Sequence, residues 1–432
     1  MNMKRSIVNK QNIDMILQQL AARSPEAYEE QEKAVREILS AVRKEGDTAV
    51  LRYTAAFDGV ELSPETLAVS EEEIDSAYAQ VDKALPEVIR KALVNIRAYH
   101  EKQKRNSWIT TTEDGVLLGA RFQPMERAGV YVPGGKAAYP SSVLMNIVPA
   151  KVAGVSEIIM TTPCRKDGSI DPGVLVAAKE AGVSRIFKVG GAQAVAALAY
   201  GTDTIPKVDK IVGPGNIYVA LAKKAVFGIV SIDSVAGPSE ILVLADETAD
   251  ARYVAADLLS QAEHDEMASA VLVTTSPDLA DRVEEEIQGF VPQLSRSSII
   301  SASLEQYGHI LIADSLKEAV DLVNAFAPEH LEIQTRDPME VMTRIRHAGA
   351  IFLGPYSSEP LGDYFAGPNH VLPTSGTARF FSPLGVDDFV KRSSIISYSR
   401  EALEKIHTDI ELFAACEQLT AHANSIAVRF ER

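Results

Sequence analysis

The stretch that decides the fold is Arg185-Ile186-Phe187-Lys188-Val189, followed by Gly190-Gly191 and then by Ala192-Gln193-Ala194-Val195-Ala196-Ala197-Leu198-Ala199-Tyr200. The apolar run reads as a buried strand, the paired glycines as a tight turn, and the alanine-rich segment as a crossover helix. The same order recurs on either side. Strand-like runs stand at Gly129-Val130-Tyr131-Val132, Glu157-Ile158-Ile159-Met160 and Lys210-Ile211-Val212. Further ones stand at Ile241-Leu242-Val243-Leu244, Ala270-Val271-Leu272-Val273, His309-Ile310-Leu311-Ile312 and Ala350-Ile351-Phe352-Leu353. Between them lie helix-length segments at Pro172–Ala181, Ile217–Val226, Ala251–His264 and Leu279–Gln288.

This alternation predicts an α/β fold with two incomplete Rossmann-like sheet domains and helical N- and C-terminal segments. The series breaks at Gly237-Pro238-Ser239. The expected division is a helical segment over 1–21, a discontinuous α/β domain over 22–130 and 239–383, a second α/β domain over 131–238, and a helical segment over 384–432. Residues 10 to about 106 read as mostly helical, with Val35, Ile38, Leu39 and Val42 at helical spacing. The Gly- and Pro-dense stretch Gly354–Pro383 reads as a long functional loop. A helical tail is expected from about Asp387.

Composition narrows the class of function. A chain of 432 residues with 46% hydrophobic and 24% charged residues can bury several cores, and this excludes a disordered or miniature protein. The net charge of −16 opposes binding to a phosphate backbone, so no nucleic-acid partner is expected. No apolar run of about 18 residues is present, and Met1-Asn2-Met3-Lys4-Arg5 leads into polar residues, so no membrane association and a cytoplasmic location are expected. Cys164 and Cys416 alone cannot build a disulfide framework or a cysteine-rich zinc site, which leaves any metal to His, carboxylate or amide donors.

Three glycine clusters follow predicted strands: Pro133-Gly134-Gly135-Lys136, Gly190-Gly191-Ala192-Gln193 and Gly213-Pro214-Gly215-Asn216. Such turns gather free backbone N–H groups at a helix N-terminus, where a pyrophosphate can sit, or they simply make tight connections. No Gly-x-Gly-x-x-Gly occurs, so a dinucleotide would be held in a modified way. Tyr131, Gln193 and Asn216 flank these turns and can either hydrogen-bond a cofactor or pack the loops.

Gln261 and His264, three apart at the end of a predicted helix, share a face and can reach one ion, or can form a plain polar surface. Asp363 in the Gly/Pro loop is either a ligand or an Asx turn, and His422 in the tail either a ligand or a surface histidine. Should the four converge, two imidazoles, a carboxylate and an amide oxygen suit zinc. Glu329-His330, within Pro328–Glu332, is read on a turn as an acid–base pair or an exposed polar turn. His370 carries the same ambiguity.

Taken together, these segments closely resemble histidinol dehydrogenase. The resemblance is carried by Tyr131–Lys136, Ala138–Ser142, Gly190–Gln193, Val212–Asn216, Ala236–Glu240, Leu259–Asp265, Ala327–Glu332, Gly367–Thr374 and Leu419–His422, in order over nearly the whole chain. It implies an NAD-dependent, zinc-dependent oxidation of L-histidinol to L-histidine through the aldehyde, with one zinc per subunit. Gln261, His264, Asp363 and His422 would be the zinc ligands, and His330 the base that takes the alcohol proton. Glu329 would activate the water that adds to the aldehyde. Ser239, His370 and Glu417, with His330 and the zinc ligands, would contact substrate, and Tyr131, Gln193 and Asn216 the cofactor. The family's intertwined homodimer implies that the C-terminal segment, with Glu417 and His422, completes the other subunit's site.

Two rivals differ in chemistry. An aldehyde dehydrogenase-like enzyme would use Cys416 as nucleophile, although the Phe413-Ala414-Ala415-Cys416 context reads as a buried, inert thiol. A non-catalytic metal- or nucleotide-binding protein would have no use for the Glu329-His330 pair.

Overall fold

The computed structural model describes residues 3–8, 28–134, 139–235 and 237–431, with Met15 and Gln18. Its strands are β1 (Lys4–Ile7), β2 (Trp108–Thr111), β3 (Leu117–Pro124), β4 (Arg127–Tyr131), β5 (Glu157–Thr162), β6 (Arg185–Lys188) and β7 (Lys210–Val212). They continue with β8 (Ser231–Ile232), β9 (Glu240–Ala245), β10 (Ser269–Thr274), β11 (His309–Ile312), β12 (His330–Gln334), β13 (Ala350–Leu353) and β14 (Val390–Ser397). The chain divides into two compact units, residues 1–103 with 125–389, and residues 104–124 with 390–432.

The larger unit contains both predicted parallel sheets. One has the order β6-β5-β4-β7-β8, so the chain starts in the middle at β4, winds outward to β6, and crosses back to β7. The other has the order β1-β11-β10-β9-β12-β13: after the edge strand β1 the chain returns at β9, winds outward to β11 and reverses to β12 on the other side of β9. Every residue of β9 and β10 is buried, as expected of strands covered on both faces, and this is why they read as unbroken apolar runs. The helix Gly191–Tyr200 is buried from Ala192 to Ala199, because its alanines let it pack closely among β4, β7 and the helix Glu29–Glu45.

Four expectations are corrected. Lys4–Ile7, inside the segment read as helical, is an edge strand in parallel register with β11, whose backbone edge it covers. The rest of the expected 1–21 segment lies outside the described residues apart from residues 3–8, 15 and 18, as do the motif positions Gly135, Lys136, Ala138 and Ala236. The 330–334 segment is a strand between β9 and β13, not a turn. Its Glu332 and Gln334 interrupt the apolar pattern, yet both are buried and hydrogen-bonded to each other.

The tail does not begin as a helix. Val390–Ser397 forms β14, antiparallel to β3, in a three-stranded sheet of order β14-β3-β2. Only then come the helices Arg400–Glu404, His407–Cys416 and Thr420–Ala427 of the smaller unit. Cys416, read as a buried thiol, is exposed there. Among the described residues no helix is long and apolar enough to cross a membrane.

Candidate active site

At the carboxyl ends of β4 and β7, where the first sheet reverses direction, an open α/β sheet offers its usual ligand crevice. Tyr131 ends β4, and its hydroxyl accepts the N–H of Gly191 at 3.2 Å. Gly213 follows β7 at φ +114°, and a Cβ there would stand 2.0 Å from the Tyr131 carbonyl oxygen, so only glycine lets the two turns touch. The Gly213 N–H donates to Asp233 Oδ2 at 2.8 Å, and Lys223 Nζ donates to the Gly213 carbonyl at 2.9 Å. Lys223 and Asp233 form a buried ion pair that braces the turn. Asn216 caps the next helix through its Oδ1, which accepts from the N–H groups of Tyr218 and Val219, so only its amide nitrogen remains to meet a ligand. A cavity of about 630 Å³ opens here, lined by Tyr131, Gln193 and Asn216, and among the described residues neither amide atom of buried Gln193 has a partner.

A second cavity, of about 640 Å³, is lined by Ser239, Gln261, His264, Glu329, His330, Asp363 and His370. Gly134 and Asn216 line both cavities, so the two adjoin. Unlike the first, it lies at the amino ends of its sheet, because Glu329 immediately precedes β12 and Glu240 opens β9. Parallel register sets these residues side by side, and the Glu240 N–H donates to Glu329 Oε2 at 2.8 Å.

The His330 ring is fixed in orientation. Its Nδ1 lies 3.0 Å from the Glu240 carbonyl oxygen, an acceptor, so Nδ1 bears the proton. Nε2 is buried, has no hydrogen-bond partner among the described residues, and stands 3.8 Å from Asp363 Oδ1. Burial would lower the pKa of this imidazole, but the Glu329 carboxylate, 3.6 Å from Nδ1, together with Asp363 and Glu359, outweighs burial and pushes it up to about 10. Burial raises Glu329 to about 8, against the opposing pull of His330. Asp363 is held below its ordinary value because His330, with His370 and His264, overcomes the effect of burial. Burial keeps His370 low, in the neutral form, with Nε2 3.3 Å from Ser142 Oγ and Nδ1 3.7 Å from Asp363 Oδ2.

Asp363 sits on one turn of π-helix, Gly362–Ala366, a local widening of the helix that often marks functional sites. Ligand atoms of His264, Glu359 and Asp363 lie within 4.8 Å of one another, close enough for one ion. Gln261 is completely buried, one helical turn before His264, and neither of its amide atoms has a partner among the described residues. The donor set therefore fits a divalent metal. Glu417 and His422 are exposed on the helical segment of the smaller unit. Glu359 was not singled out from the sequence, although its spacing of four from Asp363 was a usable same-face signal.

The histidinol dehydrogenase family model matches residues 21–430. The histidinol dehydrogenase of Halalkalibacterium halodurans is 59% identical over 93% of this chain and 94% of its own. That of Bacillus subtilis is 57% identical over 94% of each. A crystal structure of histidinol dehydrogenase from Elizabethkingia anophelis superposes with a TM-score of 0.93 at 37% identity, covering 99% of this chain and 98% of the other.

Proposed function

Since the chain belongs to the histidinol dehydrogenase family, oxidoreductases of histidine biosynthesis, we propose that its Glu329–His330 pair carries out the two oxidations of L-histidinol to L-histidine, with NAD and one zinc ion per subunit. The observation that carries this reading is the unpartnered Nε2 of His330, aimed into the same cavity as Gln261, His264 and Asp363.

When bound, the ion would anchor the imidazole and amine of the substrate, and the nicotinamide would accept a hydride at each oxidation. Gln261, His264 and Asp363 would hold that ion, with the partner subunit's His422 as fourth ligand. Tyr131, Gln193 and Asn216 would hold the cofactor in the adjoining cavity. His330 takes the alcohol proton on Nε2, while the Glu240 carbonyl keeps its Nδ1–H in place. Glu329 accepts the proton of the water that adds to the aldehyde, a task for which a carboxyl raised toward neutrality is suited. Ser239 and His370, with Glu417 of the partner subunit, contact the substrate. Support for a completing partner comes from a cavity of about 960 Å³ lined by His330, Asp363 and His370, with the exposed rings of Phe380 and Phe381 at its wall.

The division of labour is testable with Glu329→Gln. This variant should lose histidinaldehyde oxidation by about 10²–10⁴-fold while keeping a much larger share of the alcohol step, measured as the reverse reduction of the aldehyde by NADH. Equal loss of both half-reactions would refute separate roles.

A further inference from the structure

Glu359 has no part in the roles above, yet it is only 2% exposed, inside the site. Among the described residues no lysine or arginine pairs with it, and the His264 imidazole stands beside it, Nε2 to Oε1 at 3.8 Å. A buried carboxylate with no lysine or arginine beside it is costly, and a site that tolerates one usually draws compensating charge from elsewhere. The side chain is also held firmly. Ser260 Oγ donates to Oε2 at 2.7 Å, and the Glu359 N–H donates to Glu332 Oε1 at 2.9 Å. Glu332 is fixed in turn by Gln334 Nε2 at 3.0 Å, which also binds Asp257 Oδ2 at 2.7 Å. One oxygen of Glu359 is thus anchored and the other is turned toward His264. Independently, the buried amide of Gln261 has no partner for either atom among the described residues.

We propose that Glu359 is the second carboxylate of the metal centre, and that its Oε1 ligates the divalent ion beside Gln261, His264 and Asp363 in the substrate-free enzyme. Gln261 and His264 are neutral donors, so Asp363 alone would leave a buried dication half-compensated, and Glu359 brings the site to neutrality. The inference rests on the metal reading of this site, and it adds a ligand that the substrate's amine displaces on binding.

The test is zinc affinity of the full-length protein without histidinol, by competition with a chromophoric chelator, repeated with saturating histidinol. Glu359→Gln keeps the shape and the Ser260 contact but removes the charge, and should weaken substrate-free zinc binding at least about tenfold. With histidinol present the difference from wild type should shrink. Glu359→Asp, which retains the charge, should recover part of the affinity. Should Glu359→Gln fold poorly, as read by its melting curve, the visible spectrum of the cobalt-loaded Glu359→Asp protein decides, since moving a ligand alters the cobalt bands. Wild-type zinc affinity in Glu359→Gln, or an unchanged cobalt spectrum in Glu359→Asp, overturns the proposal. His264→Asn is the control. If it also binds zinc like wild type, the metal reading itself fails.

Discussion

At the scale of single residues, the proposed chemistry turns on His330. The base must shed its proton before it can accept another, and a raised pKa means that the neutral form accumulates only as pH rises. The sign is therefore fixed: kcat/KM should climb with pH toward a limit no higher than about 10, steepening toward tenfold per unit on its acidic side. A profile that falls between about pH 7 and 9 would count against His330 as base. His330→Asn should lower kcat by about 10²–10⁴-fold with little change in zinc content, measured by metal analysis of the purified variant. Most of these residues could be read from the sequence as types and spacings, but their environment could not. The charge state of Glu329 depends on Glu240 and His330 across a strand pair, and no local pattern announces which strands will be neighbours.

At the scale of elements, the runs at Ile241–Leu244 and Ala270–Val273 were legible because burial on both faces leaves only apolar side chains. β12 was not, since a strand that carries Glu332 and Gln334 looks polar until their buried partners are known. β14 escaped for the opposite reason, as its exposed and half-buried side chains give weak contrast. The glycine turn after β7 depends on the Lys223–Asp233 pair, whose members are 3% and 5% exposed. Lys223→Met would strand Asp233 as an uncompensated buried charge and should cost about 3–5 kcal/mol in urea unfolding. A loss under about 1 kcal/mol would mean that the pair contributes little to the turn.

At the scale of the whole molecule, the two sheets do different work with the same architecture. The β4–β8 sheet presents glycine turns and Tyr131 at carboxyl ends, while the β9–β13 sheet places Glu329 and His330 at amino ends. The cavities that they line share Gly134 and Asn216. The smaller unit leaves the large apolar side chains of Ile109, Ile396, Leu412 and Phe413 exposed. If a second copy completes each site, mixing His330→Asn and His422→Asn subunits should restore activity that neither variant has alone. An inactive mixture of demonstrated heterodimers would place His422 in its own subunit's site or in none. Cys416→Ser should leave turnover close to wild type, whereas a cysteine-nucleophile enzyme would be abolished by it.

The central claim is that one site performs both oxidations of one substrate. Its most direct test is to give zinc-loaded protein a limiting amount of L-histidinol with excess NAD and to measure reduced cofactor at completion. About two NADH per histidinol, with L-histidine as product, is the predicted result. One NADH per histidinol with aldehyde accumulating, or none, would contradict it.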